Sequence, residues 1–439
     1  MQKNTEDNLM EKVVSLCKRR GFVFQGSEIY GGLAGIYDYG PLGVELRHNI
    51  KQYFWKIFVS EREDVFGMST AILMSEKVWD ASGHLAGFSD PMVKCKKCQH
   101  VFREDQMTEK KKCPDCGGEV NEKVNFNLMF PVQVGATDLN IAYLRGEITQ
   151  GVHVNFKNIL DSMHPKLPFG VGQIGKAFRN EISPRDFLFR QREFEQMELQ
   201  YYIRPNEEEG KNQFEFWKQF ALSWYLGLGF KKESLRLRQH KEDEKAHYAK
   251  DAWDIEYNVP GMGWKEAWGI HHRGDWDLRR HSEYSKVDLS YLDDLDGEKF
   301  FPWDIECSGG VDRAVMFTLL EAYTEDEMNG EIRSYLKFAP HIAPIKMAVS
   351  PLLKNKPELV EKARTVFWAL KNEFGNVAWD DNGNIGKRYR RQDEIGTPFC
   401  IVVDFDTLSD DTVTVRDRDT AEQERVEVSD LVKYIKEKI

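Results

Sequence analysis

The 439-residue sequence contains no long apolar run that could serve as a membrane anchor. No stretch approaches the ~18 consecutive apolar residues of a membrane-spanning helix, and the mean hydropathy is −0.57. The first residues include the acidic side chains Glu6, Asp7 and Glu11 and no apolar segment of the kind found in targeting peptides. We therefore expect a cytoplasmic protein with no membrane association.

The sequence also lacks an excess of basic residues. Its 61 Lys and Arg residues stand against 72 Asp and Glu residues, which gives a net charge of −11. This deficit excludes a uniformly basic coat for nucleic acid, so a polyanionic partner must be bound by local patches. Apolar side chains are plentiful, because 41% of residues are hydrophobic and 12% are aromatic. At ~150 residues per domain, the length allows two or three domains.

A disulfide framework is also missing, because seven cysteines are an odd number. Four of them form two CxxC pairs, with 14 residues between the pairs: Cys95, Cys98, Cys113 and Cys116. They lie in a lysine-rich insertion over 94–118 that is too small to fold around an apolar core alone. The spacing predicts a structural Zn²⁺ held by four thiolates, which leaves no open position for a substrate. Free or redox cysteines and a catalytic zinc remain alternatives.

The pattern of apolar residues changes along the chain and predicts its organisation. From about 124 to 320, strand-like alternation with Gly and Pro between the strands predicts an antiparallel sheet. After His341, apolar runs alternate with a helix that begins at Pro357, which indicates a small α/β domain with a mostly parallel sheet. We predict a domain over 1–340, with a helical insertion over about 204–250, and a second domain over 341–439.

Two strands joined by a loop, over 172–203, carry a dense polar set. Period-two alternation places Arg179 and Glu181 on one face of the first strand. In the second strand, one face is polar and aromatic: Arg192, Phe194, Gln196, Glu198 and Gln200. The other face is apolar: Met197, Leu199, Tyr201 and Ile203. With the loop residues Arg185 and Arg190, the arginines could clamp phosphates while a ring stacks on a base, which predicts a nucleotide triphosphate site. The alternative is a solvated, ion-paired sheet face.

A second candidate site follows in residues 302–323. Trp303 and Ile305 indicate a buried strand that turns through Ser308-Gly309-Gly310 into a helix. Arg313 lies in the first helical turn, where a cation opposes the helix dipole by a few tenths of a kcal/mol, so we expect an anion beside it. A surface arginine paired with a neighbouring acid is the alternative.

Weaker signals accompany these two sites. The carboxylates of Glu147, Glu266 and Asp275 could bind a metal or an ammonium group, and we take His271 and His272 as structural because they have no metal-ligand spacing. The cluster Lys387–Arg391, basic with one tyrosine, predicts an RNA-binding patch or a solvated helix face.

Together these motifs carry a family resemblance over nearly the whole chain. In order, DYGPLG, AFRNEISPR, REFEQMELQYY, IECSGGVDR and the α/β tail resemble the class II aminoacyl-tRNA synthetases and, within them, the homodimeric glycyl-tRNA synthetases. The resemblance implies an α+β fold with a six-stranded antiparallel catalytic sheet and a C-terminal anticodon-binding domain. It also implies a homodimer formed through the N-terminal part of the catalytic domain, with ATP, Mg²⁺, glycine and tRNA(Gly) as substrates or partners.

The same resemblance implies roles for individual residues. The implied catalytic residues are Arg179 and Arg313. The implied ATP contacts are Arg179, Asn180, Glu181, Phe189, Arg190, Gln191, Arg192, Glu193, Phe194, Glu266, Ala267, Gly310, Val311, Asp312 and Arg313. The implied glycine contacts are Arg103, Glu147, Phe194, Glu195, Gln196, Met197, Glu198, Glu306, Cys307, Ser308, Gly309 and Gly310. The alternatives are a class II synthetase for another small amino acid and a non-catalytic, synthetase-like RNA-binding protein.

Overall fold

The computed structural model describes residues 9–104, 107, 109, 111–136, 140–182, 184, 186–245, 249–328 and 330–439. The loop arginine Arg185 lies outside these residues. The helices, labelled α1 to α13 in order, are Leu9–Arg20, Pro41–Trp55, Glu76–Ala81, His84–Gly87, Thr149–His153, Phe156–Met163, Glu207–Gly227, Trp276–Ser285, Val311–Ala322, Pro357–Phe374, Ile385–Ile395, Phe405–Asp410 and Leu431–Lys436. None of the described helices is long and apolar enough to cross a membrane.

A seven-stranded sheet forms the centre of the larger part of the chain. Its strands, labelled β1 to β7 in chain order, are Val65–Met68, Phe169–Phe178, Glu193–Ile203, Leu235–Gln239, Asp251–Val259, Gly263–Gly274 and Trp303–Gly310. The spatial order is β4-β5-β6-β7-β3-β2-β1. Strands β2 to β7 pair antiparallel, as the resemblance implied, whereas β1 adds a parallel edge strand with Val65 opposite Gly170.

One face of this sheet carries the main apolar core. Met197, Leu199, Tyr201 and Ile203 of β3 lie in this core together with residues of α2, α7 and α9. The alternation predicted for β3 is therefore confirmed. The opposite face of β3 is polar but also buried, because α5, α6 and α8 cover that side of the sheet around a second cluster that includes Phe156.

The segment predicted as a helical insertion over about 204–250 is only partly helical. Helix α7 covers its first half, and Trp217 and Trp224 of this helix lie in the main core. Residues Leu235–Gln239 then form β4 and pair antiparallel with β5. The sequence Leu-Arg-Leu-Arg-Gln alternates with a period of two, which suits a strand at the sheet edge and not a helix. The insertion over about 204–250 therefore contains the expected helix in its first half and an additional strand in its second half.

The C-terminal part of the chain has its own sheet and core. Strands β8 to β12 are Met347–Pro351, Val377–Trp379, Phe399–Val403, Thr412–Asp417 and Gln423–Glu427. Their order is β9-β8-β10-β11-β12, in which β9, β8 and β10 are parallel and the last two pairings are antiparallel. The sheet is thus mixed and less parallel than the apolar runs predicted. The predicted domain limits of 1–340 and 341–439 stay a prediction.

Short strands complete the rest of the fold. They pair as Val23–Gln25 with Tyr37–Tyr39, Leu73–Ser75 with Asn140–Leu144 and Phe130–Val134, Ser89–Lys94 with Val101–Arg103 and Val124–Asn127, Tyr291–Leu292 with Lys299–Phe300, and the hairpin Tyr323–Met328 with Glu331–Leu336.

The last of these pairs, the hairpin, joins the two parts of the chain through a buried arginine. In this hairpin, Arg333 is 1% exposed and pairs with Asp326 at 2.9 Å. Its Nη1 also donates to Asp393 Oδ2 at 3.1 Å and to the carbonyl of Arg418 at 2.7 Å, both in the C-terminal part.

Candidate active site

A cleft of about 290 Å³ lies where β3, β7 and the start of α9 meet the loop between β2 and β3. It is lined by Arg179, Glu181, Leu188, Phe189, Arg190, Gln191, Phe194, Glu195, Gln196, Glu266, Ser308, Gly309, Gly310, Asp312 and Arg313. The cleft brings together both arginines implied to be catalytic, which are 134 positions apart in the chain, with most of the residues implied to contact ATP. Its walls are rich in charge.

Arg179 lies just beyond the end of β2 and not within it, so the prediction that Arg179 and Glu181 share a strand face was wrong. The ladder of β2 and β3 ends at the pair Phe178 and Glu193. Beyond it the chain turns, and the amide of Glu181 bonds to the carbonyl of Arg179 at 2.6 Å. Arg179 Nε donates to the carbonyl of Gly146 at 3.1 Å, and the guanidinium carbon lies 5.2 Å from the ring centre of Phe194. These contacts hold the side chain at the cleft.

Arg313, in the first turn of α9, closes the other end of the cleft. Its Nη1 lies 3.2 Å from Glu266 Oε1, and its guanidinium carbon lies 4.5 Å from the ring centre of Phe189. The positive charge of Arg313 holds the pKa of the half-exposed Glu266 below its usual range. Arg313 thus pairs with a neighbouring acid, which was the alternative given for this residue. The bound anion expected beside it stays a prediction.

The other loop residues mostly shape the cleft. Arg192 bonds to the carbonyls of Glu181 at 2.8 Å and of Ala34 at 2.9 Å, so it fastens the loop. The amide of Asn180 donates to the carbonyl of Leu128, and Glu193 pairs with Lys176 at 2.6 Å. The residues that line the cleft do not include Asn180, Arg192 or Glu193. Their roles in ATP binding therefore rest on the family resemblance alone.

Strand register assembles a buried carboxylate site beside the cleft. Glu198 of β3 lies opposite Ser308 of β7, and Glu306 of β7 lies opposite Gln200 on one side and His271 of β6 on the other. Ser308 Oγ, which lines the cleft, donates to Glu198 Oε1 at 2.6 Å. The pairing of β3 with β7 thus places the buried carboxylates next to the cleft.

Thr149 and Arg273 complete this site. Thr149 Oγ1 lies 2.6 Å from Glu198 Oε2 and 2.9 Å from Glu306 Oε2. Arg273, 2% exposed, donates from Nη1 to Glu306 Oε2 at 3.1 Å and makes a two-point ion pair with Asp277 at 2.8 and 3.0 Å. Burial would raise the pKa of Glu306, but Arg273 and then the hydrogen bond from His271 outweigh it and hold that pKa well below its usual range.

Glu147 is the third carboxylate of the group. His84 Nε2 lies 3.3 Å from Glu147 Oε2, and Gln150 Nε2 donates to Glu147 Oε1 at 3.0 Å and to Asp277 Oδ1 at 3.1 Å. Burial opposes ionisation, but the neighbouring His84 outweighs it, and the pKa of Glu147 falls to about 2. The group therefore holds an ionised Glu147 and Glu306 facing one buried guanidinium.

Known proteins resemble this chain along nearly its full length. The model described as tRNA synthetase class II core domain (G, H, P, S and T) matches residues 139–377, and the model described as anticodon binding domain matches residues 346–438. The chain belongs to the glycine–tRNA ligase family of class II aminoacyl-tRNA synthetases. A protein named glycine–tRNA ligase from Caldanaerobacter subterraneus subsp. tengcongensis is 48% identical over 460 residues, covering 98% of both chains. One of the same name from Treponema denticola is 49% identical over 442 residues, covering 98% of this chain and 97% of its own.

Membership of this family confirms the resemblance and the α+β fold class drawn from the sequence. Sequence reasoning nevertheless did not identify three polar residues of the carboxylate site, which are Thr149, Gln150 and Arg273. It also took His271 as structural. His271 Nδ1 lies 2.8 Å from Glu306 Oε1, so it touches a carboxylate implied to bind glycine. A usable signal was the polar run His-His-Arg directly after the apolar residues Ala267, Trp268 and Ile270 of β6.

Other implied contacts of the synthetase lie away from the cleft surface. Ala267, Cys307, Val311 and Met197 are buried in the main core, so only their backbone atoms could reach a ligand. Arg103 pairs with Asp90 at 2.9 Å and is not among the described residues that line the cleft.

Residues behind the cleft support its wall. Glu195 faces Arg47 and Lys51, each at 3.0 Å. Asp312 accepts the hydroxyl of Tyr39 at 2.6 Å and the amide of Glu195 at 2.6 Å. The roles of these residues toward ATP or glycine stay predictions.

The four insertion cysteines converge. Their Sγ atoms all lie within 4.8 Å of one another, with 3.5 Å between Cys95 and Cys116 and 3.6 Å between Cys98 and Cys113. Four thiolates about 2.3 Å from a tetrahedral Zn²⁺ would be about 3.8 Å apart, close to this arrangement. The amides of Lys97 and Cys98 point at Cys95 Sγ, each at 3.4 Å, as donors to a thiolate would. The cluster fits one metal ion.

The basic cluster of 387–391 is less available than the sequence indicated. Arg388 is buried, and its Nη2 donates to the carbonyls of Asp381 and Gly383. Arg391 makes a two-point pair with Asp380 at 3.1 and 2.6 Å. The guanidinium of Arg388 therefore cannot lie on RNA, which corrects the prediction of a patch made of the whole cluster.

Proposed function

We propose that the chain catalyses the ATP-dependent attachment of glycine to tRNA(Gly). One observation carries this proposal: Ser308 lines the arginine-rich cleft and also bonds to Glu198, so a nucleotide site and an ammonium site share a wall. A phosphate on the arginine side and an amino acid on the carboxylate side would meet there. This is the arrangement that activation of an amino acid by ATP requires.

ATP binds in the cleft as its Mg²⁺ complex. Arg179 and Arg313 face the phosphates from opposite ends, and the ring of Phe194 offers a surface for the base. Glu181 and Glu266 supply carboxylate oxygens of the kind that Mg²⁺ prefers. A phosphate that reaches Arg313 takes the place that Glu266 occupies beside this guanidinium.

Glycine binds next to Ser308. Its ammonium group faces Glu147, Glu198 and Glu306, while its carboxylate points to the cleft. Glycine has no side chain, so selection rests on charge and on walls that leave no space for a methyl group. Excluding a larger side chain is sterically easier than rejecting a smaller one, and a separate editing site is unnecessary.

The reaction has two steps. The glycine carboxylate attacks the α-phosphorus of ATP in line, which gives glycyl-adenylate and pyrophosphate. The terminal ribose hydroxyl of the tRNA then attacks the activated carbonyl carbon, which releases AMP. No nucleophile of the protein takes part, so catalysis is positioning by the cleft and electrostatic stabilisation by Arg179 and Arg313.

Four further assignments belong to this proposal. The four cysteines hold a structural Zn²⁺ that fastens the insertion, and the domain over 341–439 binds the anticodon part of the tRNA. The chain forms a homodimer through the N-terminal part of the catalytic domain over 1–340. It acts in the cytoplasm. The closeness of the four Sγ atoms and the anticodon binding domain match support the first two assignments.

Glycine-dependent exchange of pyrophosphate into ATP, followed by charging of tRNA, tests the function. We expect exchange with glycine and none with serine, alanine, proline or threonine; exchange with one of these and not with glycine would support the other small-amino-acid synthetase. Arg179→Ala should abolish exchange and leave tRNA binding intact, while the exposed control Arg279→Ala should leave both unchanged. Binding of tRNA without exchange for any amino acid would support the non-catalytic alternative.

A further inference from the structure

A single hydroxyl stands between two buried carboxylates in the amino-acid site. Thr149 Oγ1 lies within hydrogen-bond distance of Glu198 Oε2, at 2.6 Å, and of Glu306 Oε2, at 2.9 Å. A hydroxyl carries one proton and can donate to one of them only. If both carboxylates were ionised, one of these two short contacts would join two acceptors with no proton between them. A second proton must therefore lie in this chain of atoms.

The surroundings of Glu306 show that it is the ionised member. Its Oε2 accepts from Arg273 Nη1 at 3.1 Å, and its Oε1 lies 2.8 Å from His271 Nδ1. Gln200 Nε2 adds a third donor at 3.3 Å. A buried carboxylate with a guanidinium partner and further donors favours the charged form.

The surroundings of Glu198 are different, because its hydrogen-bonding partners are neutral. It is 3% exposed, and Ser308 Oγ and Gln196 Nε2 donate to its Oε1 at 2.6 and 2.8 Å, while Oε2 contacts Thr149 and Gln200. No cation of the described residues hydrogen bonds to it. Arg145 is near, but its guanidinium donates to the carbonyls of Lys176 at 2.6 Å and of Thr70 at 3.0 Å.

The other charged groups around Glu198 make its ionisation less favourable still. Glu306 and Glu147, both ionised, act on it with negative charge. Arg145 is an opposing charge that interacts with Glu198, and Arg273 is committed to Glu306 and Asp277. A carboxyl group that is buried among acids and bonded only to neutral groups favours its protonated form.

We propose that Glu198 is a neutral carboxylic acid in the ligand-free site and that binding of the glycine ammonium group expels its proton to solvent. In the ligand-free chain, Glu198 Oε2–H donates to Thr149 Oγ1, and the hydroxyl of Thr149 donates to Glu306 Oε2. This inference rests on the proposed function, because it needs an ammonium ligand in this site. The bound ammonium brings one positive charge and three donors, so Glu198 can ionise beside Glu306. The balance is one proton released for each glycine bound.

The protonation behaviour supports this assignment. Burial, together with the charges of Glu306 and then Glu147, raises the pKa of Glu198 to about 8. With that value, about nine-tenths of ligand-free molecules carry the proton at pH 7 and about one-tenth at pH 9. Glycine should then bind about tenfold more tightly for each pH unit gained between pH 6 and pH 7.5, with the dependence levelling off above pH 8.

Two described neighbours could imitate this behaviour: Asp304, whose pKa burial raises well above its usual range, and His271. Burial lowers the pKa of His271, but the hydrogen bond to Glu306 outweighs burial and raises the pKa above the usual value. An imidazolium that loses its proton when glycine binds would also release one proton. The experiment must therefore separate Glu198 from His271 and from Asp304.

Isothermal titration calorimetry with glycine, in phosphate and in Tris at pH 7, makes this separation. The difference in apparent enthalpy between the buffers gives the number of protons released. We expect about 0.9 per glycine for the wild-type protein, at least half of that for His271→Gln, and none for Glu198→Gln. Gln at position 198 reproduces the neutral acid, since its amide can donate to Thr149 and its oxygen can accept from Ser308.

Three results overturn the proposal: wild-type binding without proton release, release by Glu198→Gln equal to that of the wild type, or release that depends on His271 alone. If Glu198→Gln binds glycine too weakly to titrate, infrared difference spectra of the ligand-free proteins decide. The wild type minus the variant at pH 7 must show the carbonyl band of one carboxylic acid, and its absence refutes the proposal. Glycine-dependent exchange without proton release overturns this inference only, whereas absence of both glycine binding and exchange overturns the proposed function.

Discussion

Replacing Arg273 by methionine should destabilise the protein strongly, because this side chain is the buried cation of the carboxylate group. Its guanidinium is 2% exposed and bonds to Asp277 at two points and to Glu306 at one. Methionine has a similar length and no charge. The substitution leaves Asp277 and Glu306 buried with their main source of positive charge removed.

The expected size of the effect follows from burial. Breaking a buried ion pair by removal of one partner costs about 3–5 kcal/mol, because the remaining charge is uncompensated. The chain supplies a matched control, since Arg279 and Asp275 form an ion pair with the same four-residue spacing at the protein surface. The side chains of that pair are 51% and 32% exposed, so Arg279→Met should cost about 0.5 kcal/mol or less.

Urea unfolding of the wild type and the two variants, followed by circular dichroism at pH 7, measures both costs. Exchange of pyrophosphate should also fall in Arg273→Met, because the pKa of Glu306 rises and the ammonium site loses charge. A loss of stability below about 1 kcal/mol in Arg273→Met, with Asp277 still buried, would show that the site does not depend on this guanidinium. An equal loss of unfolding free energy in Arg279→Met and Arg273→Met would contradict the argument that burial sets the size of the effect.

Three further perturbations probe the rest of the site. In Gly309→Ala, the added Cβ would lie 2.2 Å from Trp268 Cε3, so we expect a loss of about 1–3 kcal/mol in urea unfolding and slower exchange; an unchanged variant contradicts this. Cys113→Ser should lower bound zinc from about one ion per chain to near zero by metal analysis, and an active wild type without zinc refutes the zinc site. Folding raises the pKa of Glu198 to about 8, so between pH 5 and pH 8 the folded state holds a proton that the unfolded state has lost. The stability of the wild type should therefore fall relative to that of Glu198→Gln by about 1.4 kcal/mol per pH unit over this range. A flat difference between the two stability curves rules out that shift.

Local periodicity explains which parts of the site were predictable. Alternation alone separated Met197 and Leu199 from Glu198, and the structure places the first two in the core and the last in the carboxylate group. The helix after Gly310 was also visible, because its apolar positions repeat with helical spacing. The position predicted for Arg313, in the first turn of that helix, is therefore confirmed.

Contacts between distant strands were not predictable in the same way. His271 meets Glu306 because β6 and β7 pair in one register, and no pattern within either segment specifies that register. The burial of Arg273 and Arg388 was also hidden, since arginine is rarely buried unless it is paired. Family resemblance indicated the glutamates, whereas the groups that set their charges required the structure.

The hairpin arginine Arg333 has a mechanical consequence. The hairpin follows directly after α9, which carries Arg313, and Arg333 is fastened to Asp393 in the C-terminal part. Arg416 holds the same carboxylate of Asp393 at 2.8 and 3.0 Å, so the joint is a buried triad of charges. Opening the joint would return these charges to water and restore their hydration, so the triad defines the geometry of the closed joint more than it adds to its stability. The helix that carries Arg313 is thus linked to the C-terminal part through one defined set of side-chain contacts, and a movement of either part relative to the other must first break them.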